Sequence, residues 1–210
     1  MGAPIHDTIQ RLAGQVTTLL TAKSRELALT ENQIASIRPL DHVEPMAVPA
    51  LGEICGPLPP DCPATADVCR SVQLAAPYLR WRRTYSEADG FPRAFLTRYG
   101  WFDLAGPEGP YTADGLRIMI GYWGEGLFYP DHSHAQEEHY LVLAGSAWFR
   151  LEDAPLRRLD AGEVFHTPPG IVHAAEMRYQ PLLALAIWRA QDDLTVRVHL
   201  TDSDRKVEAG

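Results

Sequence analysis

A mainly β fold, a single small antiparallel β-barrel behind an N-terminal α-helical region, is what this 210-residue sequence predicts. Three observations carry that expectation. Apolar residues in the first ninety positions recur at steps of three and four, the period of one helix face. Beyond residue 90 they come in short, aromatic-rich runs separated by Gly, Pro and Asp, as in an all-β domain. Five of the eight histidines, His132, His134, His139, His166 and His173, then crowd into one fifth of the chain, within the β half.

The length suits one core of about 120 residues plus an appendage. The expected division is 1–90 for the helical region, packed on the barrel or at a dimer interface, and 91–210 for the barrel. With 46% hydrophobic residues the composition supports a buried core and argues against disorder. A net charge of −8, from 27 acidic against 19 basic side chains, leaves no basic footprint for nucleic acid. No run approaches the eighteen apolar residues of a membrane span, and the first residues have neither a basic n-region nor an apolar h-region. The expectation is a soluble, cytoplasmic protein with no nucleic-acid or membrane partner.

Taken in order, Ile5, Ile9, Leu12, Val16 and Leu19 define the first helix. Thr30 with Gln33 has the form of a capping box and opens a short second helix carrying Ile34 and Ile37. Residues 48–63, rich in Pro and Gly, are expected to be irregular. Val68, Val72, Ala75 and Leu79 define a further helix. Strands are expected at 94–101, 116–123, 140–151, 163–167, 182–188 and 194–200, with turns at 105–110 and 160–162. Cys55, Cys62 and Cys69 are odd in number and lack a Cys-x-x-Cys pair, so they read as reduced structural thiols. Gly121-Tyr-Trp-Gly-Glu-Gly126 has the wrong order for a dinucleotide loop.

The chemistry concentrates between Gly126 and Gly145. On a strand, the period of two places His132, His134, Glu138 and Tyr140 on one face. Imidazoles and a carboxylate pointing the same way suit a borderline divalent ion: Zn, Fe(II) or Mn, with Co and Ni also possible. A second segment, Gly162 to His173, brings another histidine just after a Pro-x-Gly turn. Folded back in a barrel, His173 completes a site of three histidines and Glu138. His139 falls on the opposite face, and His166 has no place in the pattern.

These segments resemble the two motifs of the cupin superfamily. The first motif is met by Gly126, His132, His134, Glu138 and Gly145, and the second by Gly162, Pro168, Gly170 and His173. The second motif ends on Asn, where this chain has Met177. The resemblance implies a jelly-roll-like barrel with the metal inside it. More narrowly, Tyr129, His134, Glu138, Tyr140, His173 and Trp188, behind a helical region, resemble the cupin-type dimethylsulfoniopropionate (DMSP) lyases. That resemblance implies cleavage of DMSP to dimethyl sulfide and acrylate. It also implies His134, Glu138 and His173 as metal ligands, His132 or Tyr140 as a further one, and Tyr140 or Tyr129 as the base.

The residues allow the same chemistry to be built independently. A metal-bound substrate carboxylate stabilises charge developing at the α-carbon, and a cation beside a phenol lowers its pKa toward that of a working base. Aromatic faces can hold a sulfonium, and Tyr122, Trp123, Phe128 and Trp188 are candidates. By strand parity Tyr122 shares a face with Ile118 and Ile120, which favours packing equally. Two other readings suit the same ligands: a non-haem iron dioxygenase, and a non-catalytic cupin that binds a small acid. Leu141 and Leu143, on the opposite row from Glu138, suggest a sheet surface for a homodimer.

Overall fold

The four-and-three spacing folds into helices, although Ile37 and Leu79, expected within the second helix and the later one, fall beyond their ends. Helix α1 (Ala3–Ala22) buries Leu12, Val16, Leu19 and Leu20, and packs on α4 (Ala66–Ala75), which buries Val68, Val72 and Ala75. Between them Thr30 caps α2 (Glu31–Ala35). Its hydroxyl accepts from the Gln33 N–H at 3.2 Å, and Gln33 Oε1 accepts from the Thr30 N–H at 3.0 Å. The stretch 48–63 is not wholly irregular, because α3 (Leu51–Cys55) forms one turn there, bounded by Pro49 and Gly56 and anchored by buried Ile54. The computed structural model describes residues 3–40, 43–59, 61–189 and 198–201.

The strand expected at 94–101 starts later. Residues Arg93–Thr97 form helix α5, with Pro92 at its N-cap. Phe91, just before the N-cap, meets Phe95 at a ring-centroid separation of 4.7 Å and a tilt of 56°, a contact across the start of the helical turn.

The strands are β1 (Arg38–Pro39), β2 (Tyr99–Ala105), β3 (Tyr111–Thr112), β4 (Leu116–Trp123), β5 (Phe128–Ser133) and β6 (Glu137–Leu151), followed by β7 (Arg157–Asp160), β8 (Val164–Thr167), β9 (His173–Glu176), β10 (Leu182–Arg189) and β11 (His199–Leu200). Strands β5, β7 and β9 were not anticipated as separate elements, and positions 194–197 of the last expected strand lie outside the described residues.

Long strand β6 belongs to two sheets. Its first half pairs with β10 and β8, in the sheet that continues through β4, β2, β3 and β1. Its second half pairs with β7 and β9, and β9 continues to β5 and β11. The strand changes sheets at Gly145, whose φ is +77° and where a Cβ would stand 1.8 Å from the Pro181 carbonyl oxygen. All these pairings are antiparallel except the single Ala105–Tyr111 bridge. The fold is cupin-like, although the ladders do not close into a full ring among the described residues.

Strand parity sorts the core in two. Ile118, Ile120, Leu141, Leu143, Leu183, Leu185 and Ile187 face the helices. Met119, Trp123, Tyr140, Val142, Leu182, Ala186 and Trp188 face the interior between the sheets. Leu141 and Leu143 are therefore fully buried under the chain's own helices, and Cys69 Sγ donates to the Leu143 carbonyl oxygen at 3.3 Å. The surface expected on these leucines for a homodimer is already occupied, because α4 covers it. Burial pushes the Cys69 thiol up to about 12, so it is an inert packing group, while Cys55 and Cys62 are also free. Among the described residues no helix is long and apolar enough to cross a membrane.

Candidate metal centre

The residues read as one strand face come from a strand, a turn and a second strand. His132 is on β5, which ends at Ser133; His134 sits in the connection that follows; Glu138 and Tyr140 are on β6. The connection from β5 to β6 brings His134 to Glu138, its Nε2 3.1 Å from Glu138 Oε2. His173 opens β9 directly opposite His132 in the β5–β9 ladder. Gly170, at a φ of +75°, makes the turn before it, and its N–H donates to the His134 carbonyl oxygen at 2.8 Å. The motif glycine thus joins the two histidine-bearing segments. Where Asn was expected, Met177 is fully buried, and its backbone pairs with Gly126 and Leu127.

His134, Glu138 and His173 converge. One ligand atom from each lies within 4.8 Å of the others, and all three side chains are buried. Glu138 Oε2 is 3.1 Å from His134 Nε2 and 3.3 Å from His173 Nε2. His134 Nδ1 lies 3.0 Å from the Gln136 carbonyl oxygen and His173 Nδ1 3.0 Å from that of Ile171. A carbonyl only accepts, so each Nδ1 carries a proton and each ring turns its Nε2, a lone pair in the neutral ring, toward the carboxylate.

Lone pairs facing a carboxylate repel unless a cation lies between them. Two donor atoms each about 2.1 Å from a shared ion, at angles from octahedral to tetrahedral, lie about 3.0–3.4 Å apart. The observed separations match that range, and buried His173 Nε2 has no hydrogen-bond partner. These residues fit a divalent ion.

His132 is packed beside this set without joining it. Its ring centroid is 4.0 Å from that of His173, and its Nδ1 donates to the Pro130 carbonyl oxygen at 2.7 Å. Burial, reinforced by His173, holds His132 well below the ordinary histidine range, so it is a neutral imidazole. Burial alone would raise Glu138, yet His134 first and His173 after it, the two imidazoles against its carboxyl, hold it below the usual carboxylate range. For His134 burial works downward, and Glu138 outweighs it and raises the ring.

Trp188, across the β6–β10 ladder, donates its indole N–H to Glu138 Oε1 at 2.5 Å and lies over His134 with ring centroids 4.4 Å apart. It therefore orients the carboxylate and also walls the cavity. Tyr129 and Tyr140 line the same cavity, together with Trp123. Burial drives both phenols well above their usual value. Tyr122 is not brought here. It faces the helices, its hydroxyl donates to Glu53 Oε2 at 2.8 Å, and the expectation that it binds substrate is corrected by the strand parity that turns it away. Phe128, on the opposite face of β5 from Tyr129, is also absent from the lining.

Tyr99, Trp101 and Thr84 complete the wall, Tyr85 backs Tyr129, and none of the four was anticipated. Tyr85 and Tyr129 share a hydroxyl–hydroxyl hydrogen bond of 2.9 Å; Trp101 Nε1 donates to Thr84 Oγ1 at 2.9 Å, and Thr84 meets the Tyr99 hydroxyl at 3.1 Å. Tyr99 and Trp101 are two apart on one face of β2, a signal already present in the strand expected at 94–101. Tyr85 lies in an aperiodic loop and carried no signal.

Fold and site together define a cupin-type protein with a buried two-histidine, one-carboxylate centre inside an aromatic cavity. Known proteins narrow this further. The family model for dimethylsulfoniopropionate lyase matches residues 22–184, and the chain belongs to that family. It is 39% identical over 133 residues to dimethylsulfoniopropionate lyase DddQ of Ruegeria pomeroyi, a match covering 62% of this chain and 65% of that relative, just under two thirds. The crystal structure of DMSP lyase DddQ from Ruegeria pomeroyi DSS-3 superposes with a TM-score of 0.84 at 29% identity, covering 93% of this chain and 96% of that one. A chain from crystal structures of the DMSP lyases RdDddP and RnDddQII also gives 0.84, at 30% identity, covering 94% and 99%.

Proposed function

We propose that this chain is a metal-dependent carbon–sulfur lyase that cleaves DMSP by β-elimination to dimethyl sulfide and acrylate. The observation that carries the reading is the convergence of His134, Glu138 and His173 beneath Tyr140 and Tyr129, in a member of the DMSP lyase family. A divalent ion (Zn, Fe(II) or Mn, with Co or Ni as substitutes) held by those three residues, with His132 or Tyr140 as a further ligand, supplies Lewis-acid binding of the substrate carboxylate.

The chain's own groups account for the remaining steps. Tyr140, two residues from Glu138 on the same face of β6, is the first candidate for taking the α-proton, with Tyr129 the second. Either phenol must first be ionised, and its buried position makes that depend on the positive charge brought to the centre. As the proton leaves, its C–H electron pair becomes the new carbon–carbon double bond. The C–S bond breaks with its pair staying on sulfur, which departs neutral as dimethyl sulfide. Trp188 and Trp123 present aromatic faces to the sulfonium, and the buried cavity excludes competing water.

The test is headspace detection of dimethyl sulfide from DMSP. Metal-loaded protein is expected to release it under anaerobic conditions, chelation to stop release, and metal add-back to restore it. Tyr140→Phe and His134→Ala are expected to lower the rate by about 10²-fold or more. No release with any of Fe, Mn, Zn, Co or Ni restored overturns the proposal.

A further inference from the structure

His139 and His166 have no part in the inner centre, yet they are not scattered. They are paired directly across β6 and β8, with rings stacked at a centroid separation of 4.4 Å. Glu137 stands two residues before His139 on the same row, and His166 Nε2 lies 2.9 Å from its Oε1. One donor atom from each of the three lies within 4.8 Å of the others. His139 is buried and fixed, while the His166 side chain is 47% exposed, so solvent reaches the group without any opening of the fold.

A cation already sits against it. Arg189 Nη2 is 2.9 Å from Glu137 Oε2 and 3.5 Å from His139 Nδ1, and its Nη1 donates to the Ala28 carbonyl oxygen. The guanidinium shows that the spot attracts positive charge, and it is also the competitor any ion must face.

We propose that Glu137, His139 and His166 form a second, weaker site for a borderline divalent ion such as Zn²⁺, on the helix-facing side of the sheet whose other side carries Glu138. Two imidazoles and a carboxylate on strands that cannot separate are a donor set that favours Zn, Ni and Cu. One oxygen of Glu137 and one nitrogen of each ring bind the ion, Arg189 gives up its contact with His139, and water completes the coordination. The site owes nothing to the lyase reading, and a metal titration of the intact chain then shows two classes of binding.

The experiment is Zn²⁺ binding to chelator-stripped, full-length protein, by calorimetry and by metal analysis after desalting. Wild type is expected to take two equivalents of different affinity. His166→Ala, at an exposed position, loses the weaker class and keeps the tighter. His173→Ala loses the tighter and keeps the weaker. Arg189→Gln tightens the weaker class by about tenfold, because a positive charge leaves the ion's neighbourhood. A single class in both wild type and Arg189→Gln overturns the proposal, as does a weaker class that persists in His166→Ala. Loss of the tighter class alone bears only on the inner centre.

Discussion

The two faces of β6 are equally dry and chemically opposite. Glu138 and Tyr140 look inward, Leu141 and Leu143 outward, and all four are 6% exposed or less. On the outer row burial is favourable, contributing about 25 cal/mol per Å² of apolar surface removed from water. On the inner row it is costly, because a buried carboxylate must be compensated by charge or hydrogen bonds. The difference teaches that the outer row holds the protein together, while the inner row needs compensating charge, which the proposed ion would supply.

That contrast breaks if the rows respond alike to mutation. The largest expected effect is functional: Glu138→Gln is expected to lower lyase activity by about 10³-fold or more and to abolish the rise in melting temperature on metal addition. Without metal it is expected to be less stable than wild type near pH 7, because the ionised carboxylate beside His134 has a folded pKa below its usual value and Gln removes that contribution. A rise in melting temperature on metal addition that survives in Glu138→Gln would remove Glu138 from the metal site. Leu143→Ala is expected to cost about 2–5 kcal/mol in denaturant unfolding with the rate per folded molecule retained.

A subtler prediction concerns Trp188, which touches the inner row from the neighbouring strand. Trp188→Phe keeps the ring and removes the 2.5 Å hydrogen bond to Glu138, and is expected to weaken metal binding by about 10- to 100-fold. Unchanged metal affinity would confine the indole to packing. The smallest effect belongs to Glu53, which ties α3 to Arg98 and to Tyr122 on the outer face. Its hydrogen bond to Arg98, against the opposing effect of burial, holds its carboxyl below the ordinary 4.5. A depressed carboxylate stabilises the fold above its unfolded pKa, and that contribution is lost as pH falls through the folded value. Glu53→Gln is therefore expected to cost less than about 1 kcal/mol near pH 7 and progressively less below pH 4.5. A cost that is independent of pH would rule out the ionised pair as its source.

Helix periodicity, the Thr30 capping box, strand β4 to the residue and the cupin-like fold were legible because each rests on neighbours in sequence. The start of β2 was not. Residues 94–101 are apolar enough for a strand, but Pro92 caps a helical turn whose Phe95 and Leu96 are buried and whose Phe95 meets Phe91. Tyr85 was illegible for a related reason: its partner Tyr129 is 44 positions away, and nothing near it repeats.

By itself the sequence determined which residues would meet: His134, Glu138 and His173, through glycines whose positive φ permits the turns between them, and the two phenols beside them. Only the tertiary structure decided that His132 packs against His173 beside the three converging side chains, that Tyr122 faces the helices, and that Leu141 and Leu143 are covered by the chain's own α4. The physical reason is that a short-range pattern fixes a residue's side of a strand, whereas what lies on that side depends on contacts made by distant parts of the chain.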